Sequence, residues 1–127
     1  KANGDKDISI LAIDKQDYNI AAIQSISDVI IQKSLSESFG LAITEALWKN
    51  KPVVASDVGG IRFQIKDGQT GLLCKDIPTC AQGILRLLQD KPLAKKLGTN
   101  GHNLVKEEFL ITAELQKHLE IFKKILQ

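Results

Sequence analysis

Cysteine, histidine and proline are scarce in these 127 residues, at two, two and three copies. Cys74 and Cys80 enclose five residues, among them Pro78. That spacing fits neither a zinc knuckle nor a redox pair, so both are expected to be plain thiols packed as small apolar residues. His102 and His118 have no Cys or carboxylate at ligand spacing, so each is expected at the surface and no metal site is legible. No convincing Ser-His-Asp constellation can be assembled either. Long apolar runs are missing too: nothing approaches the roughly 18 to 20 residues of a membrane span, and residues 1–7 lack a signal-peptide core. Charge of one sign is not in excess, with 17 Lys and Arg against 15 Asp and Glu. Nucleic acid and membrane surfaces are therefore not expected partners, and a soluble, cytoplasmic chain is.

What is present is an alternation of β-branched runs and helical patterns. Ile8 to Ile13 is expected to be a strand. Asp17 should cap a helix carrying Ile20, Ile23 and Ile26, and Val29 to Ile31 is a short strand. A helix over Phe39 to Trp48, a strand at Pro52 to Ala55, a short helix from Ile61 to Lys66 and a strand at Gly71 to Cys74 follow, with turns at Gly59-Gly60 and Asp67-Gly68. Such runs predict an α/β fold: a parallel sheet of about four strands covered by helices on both faces. Beyond residue 76 only helices are expected. One has Ala81, Ile84, Leu85 and Leu88 as its apolar stripe; one opens at Pro92 and carries Leu93, Leu97, Leu104 and Val105; one is capped by Thr112 and carries Leu115, Leu119, Phe122 and Leu126. The 43% hydrophobic content suits one domain with its own core.

Glu37 and Glu45 flank a Phe-Gly-Leu turn, and the helix that follows is apolar nearly all round, so Glu45 is expected to be buried and to need a partner or ligand. Glu45 lies four residues after Leu41, on the face of the helix start. Helix-terminal N–H groups at Ser38 to Leu41 suit a diphosphate, and Gly40 would let it approach the backbone. Glu45 could then accept from ribose hydroxyls and Glu37 from those of an attached sugar. The alternative is an exposed loop Glu37 and a Glu45 paired with Lys49. Gly59 and Gly60 serve either a plain turn or close approach to that sugar. Lys51 and Arg62 could reach phosphates or stay solvated, and Ser34 and Ser56 are expected as caps or turn formers. Asp28 and Asp57 are loop or strand-edge carboxylates. Ser34–Gly40 and Ser56–Gly60 both fall at the carboxyl ends of strands, where open α/β sheets bind ligands.

The string from Ser34 to Gly60, followed by Asp67-Gly-Gln-Thr-Gly-Leu-Leu73, resembles the donor-binding half of the family 4 retaining glycosyltransferases, which have the GT-B fold of two Rossmann-like domains. Within that family, Gly59-Gly-Ile-Arg-Phe-Gln-Ile65 looks like the trehalose synthases, with Phe63 where most relatives carry Glu. The resemblance covers residues 28–127 well and the first 27 loosely. It implies that Glu37 is the catalytic Glu at the donor sugar and that Glu45 binds the ribose. Ser38, Phe39, Gly40 and Leu41 would line the sugar and diphosphate, Ser38 standing where many members have Gly; Gly59 and Gly60 complete the donor site.

On this reading residues 1–127 are a single, partial C-terminal domain. The family's Arg and Lys for the diphosphate and its acceptor-binding N-terminal domain are expected outside them. The implied activity is retaining transfer of glucose from a nucleoside-diphosphate glucose to a sugar acceptor, with no covalently bound cofactor, and the domain alone is expected to be inactive. The alternatives are a noncatalytic nucleotide-sugar-binding or assembly module, or a sugar phosphorylase or epimerase on the same architecture.

Overall fold

The computed structural model describes residues 5–11 and 17–126. In chain order these form α1 (Asp17–Ile26), β1 (Ile30–Gln32), α2 (Leu41–Trp48), β2 (Val53–Ser56), α3 (Ile61–Gln64), β3 (Leu72–Cys74), α4 (Ile77–Gln89), α5 (Lys91–Glu108) and α6 (Ile111–Ile125). The strands make one parallel sheet, β1-β2-β3. Ile30, Ile31 and Gln32 pair with Val53, Val54 and Ala55, and Val54, Ala55 and Ser56 pair with Leu72, Leu73 and Cys74.

All four β2 residues are buried because the sheet is covered on both sides. Val53 and Ala55 pack with Ile43, Ala46 and Leu47 of α2, with Ile61 and Ile65, and with Val105 of α5. Val54, pointing the other way, packs with Leu72, Cys74, Cys80, Leu87, Ala94 and Leu97. The period-2 alternation of one strand thus feeds two cores. Cys74 and Cys80 are buried in the second core as free thiols. Burial, then a hydrogen bond with Cys80, pushes the Cys74 thiol up to about 11.

Several expectations change. The strand over Ile8 to Ile13 is not formed at residues 8–11, whose Ile8, Ile10 and Leu11 are exposed; positions 12 and 13 lie outside the described residues. A strand exists only as part of a ladder, and this segment has no partner among the described residues, so the sheet has three strands instead of about four. The helix after it begins at Asp17, but the cap expected of that side chain lies outside the described residues, and Ile20, Ile23 and Ile26 are exposed. The paired-Glu helix starts at Leu41, two residues later than expected.

The C-terminal half is helical, as expected. The buried side of α4 is Cys80 and Leu87 with half-buried Ile84, whereas Ala81, Leu85 and Leu88 are exposed. Asp76 caps α4 through a reciprocal box with Thr79, and those Thr79 hydrogen bonds hold the Asp76 carboxyl below its usual range. Asp90 caps α5, with Pro92 in its first turn. Thr112 does not cap α6; the N-cap is Leu110, without a side-chain bond. Leu115, Leu119 and Phe122 of α6 are exposed, because the helix packs chiefly on α5 and, among the described residues, buries only Ala113 of its own. No described helix is long and apolar enough to cross a membrane.

Candidate functional site

Because the strands run parallel, the residues following β1, β2 and β3 emerge along one edge of the sheet. Lys33, just past β1, donates to the Ser56 hydroxyl at the end of β2 at 3.2 Å. Ser56 is therefore a buried acceptor at the strand end instead of a cap, and Ser34 accepts from Gln32 at 3.0 Å. The loop after β1 carries Glu37 and Ser38, and the loop after β2 carries Gly59 and Gly60.

These loops meet backbone to backbone. The Gly60 N–H donates to the Glu37 carbonyl at 2.9 Å. Gly59 has a φ of 44°, which favours glycine, and a Cβ there would run into the Glu37 carbonyl oxygen; one at Gly60 would run into that of Ser38. The two glycines therefore serve contact between loops, a role neither sequence alternative contained.

Gly40, the residue before α2, is buried. Its N–H donates to Gln64 Oε1 at 3.1 Å, and its carbonyl accepts from Gln64 Nε2 at 3.1 Å and from the N–H groups of Ile43 and Thr44. A Cβ at Gly40 would sit 2.9 Å from Ile43 Cδ1 and 3.2 Å from Gln64 Oε1. This corrects the expectation that Gly40 opens the backbone to a ligand: its small size makes room for Ile43 and Gln64, and its N–H is already engaged. The N–H groups of Leu41 and Ala42 donate to no such partner among the described residues, so they are the open donors of the helix itself.

Glu45 is exposed, against the expectation of a buried carboxylate. Helix α2 turns Ile43, Ala46 and Leu47 inward, while Leu41, Glu45 and Trp48 share the outer face. An all-apolar helix is buried all round only when something covers each face. The expected sharing of a face by Leu41 and Glu45 does hold. Both line a groove of about 240 Å³ with Phe39, Thr44, Trp48, Val105, Phe109 and Leu110. Within this lining Phe39 is edge-on to Phe109, with ring centroids 5.8 Å apart. Gln24 of α1 donates to Glu45 Oε2 at 3.5 Å; Lys49 instead donates to Gln24 Oε1 at 2.8 Å and to the Glu45 carbonyl at 3.4 Å.

Of the other sequence candidates, Arg62 is paired with Asp57 at 2.7 Å, and Lys51 precedes β2, at the opposite end of the sheet. Asp28 pairs with Lys91 at 3.0 Å. His102 is not a free surface side chain: its ring stacks on Trp48 at 4.4 Å, and its Nδ1 lies 2.6 Å from the Trp48 carbonyl. His118 lies on α6, 3.6 Å from Glu114. No group of three or more His, Cys, Asp or Glu among the described residues could hold a metal ion. Sequence reasoning missed Gln64 and Lys33. The signal for Gln64 was a lone amide between Ile61 and Ile65, both core residues.

Residues 6–104 match the family described as Glycosyl transferases group 1. The chain belongs to that family. Its fold is that of the GT-B glycosyltransferases. It is 43% identical over 125 residues to the trehalose synthase of Thermococcus litoralis, covering 95% of this chain and 30% of that protein. A glycosyltransferase from Rickettsia africae superposes with a TM-score of 0.78 at 31% identity, over 96% of this chain and 33% of that one. Anabaena HepE, solved in complex with UDP-glucose, shares the fold at a TM-score of 0.73 and 24% identity, over 84% of this chain and 30% of its own. This family member thus spans about 30% of the length of the curated relatives it matches.

Proposed function

We propose that these residues bind the donor in a retaining glycosyltransferase that moves glucose from a nucleoside-diphosphate glucose to a sugar acceptor, glucose itself in a trehalose-forming reaction. The observation that carries this reading is the N-terminus of α2: open N–H groups at Leu41 and Ala42, with Leu41 and Glu45 on one wall of the same groove. The diphosphate lies at those N–H groups and the positive end of the helix dipole, and Glu45 accepts from the ribose hydroxyls. Glu37, half-buried in the loop stapled to Gly60, faces the hydroxyls of the transferred glucose. Ser38 and Phe39 complete the sugar and diphosphate contacts, and Gly59 and Gly60 hold that loop in place. Catalysis is then positioning and electrostatic stabilisation of the leaving diphosphate, with Glu37 organising the sugar as positive charge develops at its anomeric carbon.

Support comes from identity to trehalose synthases over nearly the whole chain and from a fold shared with a protein that holds UDP-glucose. Acceptor binding is assigned to a separate domain and the remaining diphosphate contacts to a further segment of this same domain, so the 127 residues alone bind donor without transferring it; sugar transfer by the purified chain would contradict this. Calorimetric titration with UDP, ADP, GDP and their glucose conjugates, with Glu45→Ala alongside, tests the site. Binding that weakens in the variant supports the assignment and names the base, and failure of the parent to bind any of the six would sink it. A second reading, a noncatalytic nucleotide-sugar module that assembles with another chain, is favoured by the exposed apolar face of α6 at Leu115, Leu119 and Phe122. Retained inactivity when an acceptor domain is supplied would select it.

A further inference from the structure

The short helix α3 touches both ends of the loop that precedes α2. Gly60, the residue before it, bonds the Glu37 carbonyl, and Gln64, its last residue, bonds both the N–H and the carbonyl of Gly40. The Gln64 amide is fully buried, and its nitrogen also reaches Thr44 Oγ1 at 3.3 Å. Ile61 and Ile65 on either side are core residues, so the amide stands on a rigid base. Loop 37–40 is thus splinted at both ends by one element.

We propose that Gln64 is a positioning residue for the diphosphate: by fixing the Gly40 peptide it keeps the N–H groups of Leu41 and Ala42 turned toward the ligand. This rests on the donor-binding reading above. Helix-terminal donors stabilise an anion only while they are held in orientation before it arrives, because donors that must first be ordered give part of the gain back as entropy. The chemistry at position 64 is narrow. Gly40 offers one donor and one acceptor side by side, and a neutral primary amide satisfies both at once. An aliphatic side chain leaves the buried Gly40 N–H unpaired, and the carbonyl keeps only its bonds from Ile43 and Thr44. A carboxylate still accepts from the N–H but opposes the carbonyl oxygen, and it sets a negative charge behind the anion site. Glycine at position 40 is matched to this arrangement, since a Cβ there would press on Ile43 and on the Gln64 oxygen.

The test compares the parent chain with Gln64→Leu and Gln64→Glu by NMR titration with UDP and with uridine, following the Gly40 and Leu41 amide resonances. Both variants are expected to lose about tenfold or more in UDP affinity, a difference of about 1.4 kcal/mol, with uridine affinity unchanged. Their Gly40 amide should shift and exchange faster with solvent, while the β2 amides of Val54 and Ala55 stay protected. Gln64→Glu keeps the side-chain shape should Gln64→Leu fold poorly. Parent-like UDP affinity in the variants, or equal losses for UDP and uridine, would overturn the positioning role and leave the donor site standing. A parent that binds UDP, ADP and GDP no better than the nucleosides would instead overturn the donor site itself.

Discussion

The Gly60 N–H and the Glu37 carbonyl, 23 positions apart in sequence, are joined by a hydrogen bond of 2.9 Å. That bond ties the loop after β2 to the loop after β1, and the absence of side chains at Gly59 and Gly60 lets the two backbones touch. The proposed catalytic carboxylate therefore sits on a loop whose position depends on a turn of different origin.

Gly60→Ala should destabilise the chain by about 1–3 kcal/mol, the usual cost of forcing atoms into a filled space, because the new methyl meets the Ser38 carbonyl. Urea denaturation measures the loss, and calorimetry with UDP should find weaker binding at temperatures where the variant remains folded. Parent-like values in both would mean that the loops separate freely.

Glu45→Ala separates function from stability. Glu45 is exposed, and its one side-chain hydrogen bond among the described residues is the long one from Gln24. Unfolding free energy should change by no more than about 0.5 kcal/mol, while nucleotide affinity falls about tenfold, or about 1.4 kcal/mol. A large loss of stability with unchanged affinity would reverse the assignment and make Glu45 a structural residue.

His102→Ala removes the stack on Trp48 and the contact with its carbonyl at the end of α2. The expected cost is about 1–2 kcal/mol from the aromatic pair and the hydrogen bond together. Trp48 is the chain's only tryptophan, so its fluorescence should change on substitution, and a chemical denaturation curve followed at that wavelength reads the stability loss directly.

Alkaline stability depends on Cys74, whose pKa is raised from 9.0 to about 11 chiefly by burial. The folded chain holds this proton more tightly than the unfolded chain does. The contribution is therefore complete below about pH 9 and is lost as pH rises toward 11. Urea midpoints measured at pH 8, 9, 10 and 11 should fall more steeply for the parent than for Cys74→Ala. Parallel profiles would mean that the thiol ionises equally in both states.

Much of the architecture was legible. Pro52-Val-Val-Ala is a continuous apolar run, the pattern of a strand buried on both faces, and β2 is that strand. The Gly59-Gly60 turn and Pro92 in the first turn of α5 follow from backbone chemistry that any reader of the residues can apply. The strand expected from Ile8 misled over residues 8–11 because a β-branched run reports a preference, while strand formation requires a neighbour. Leu115, Leu119 and Phe122 misled for a related reason: helical spacing identifies a face but not whether anything covers it.

In the candidate site the division is similar. The sequence by itself determined the parallel α/β frame, the helix that runs to Trp48 and the common face of Leu41 and Glu45, because these follow from local dihedral preferences and from periods of 2 and 3.6 residues. Only the tertiary structure decided that Gln64 grips Gly40 from 24 positions away, that Gly60 meets Glu37, and that Glu45 stands in an open groove. Hydrogen-bond partners and burial are properties of what lies across space, and a one-dimensional pattern specifies which face a residue occupies without specifying what that face will meet.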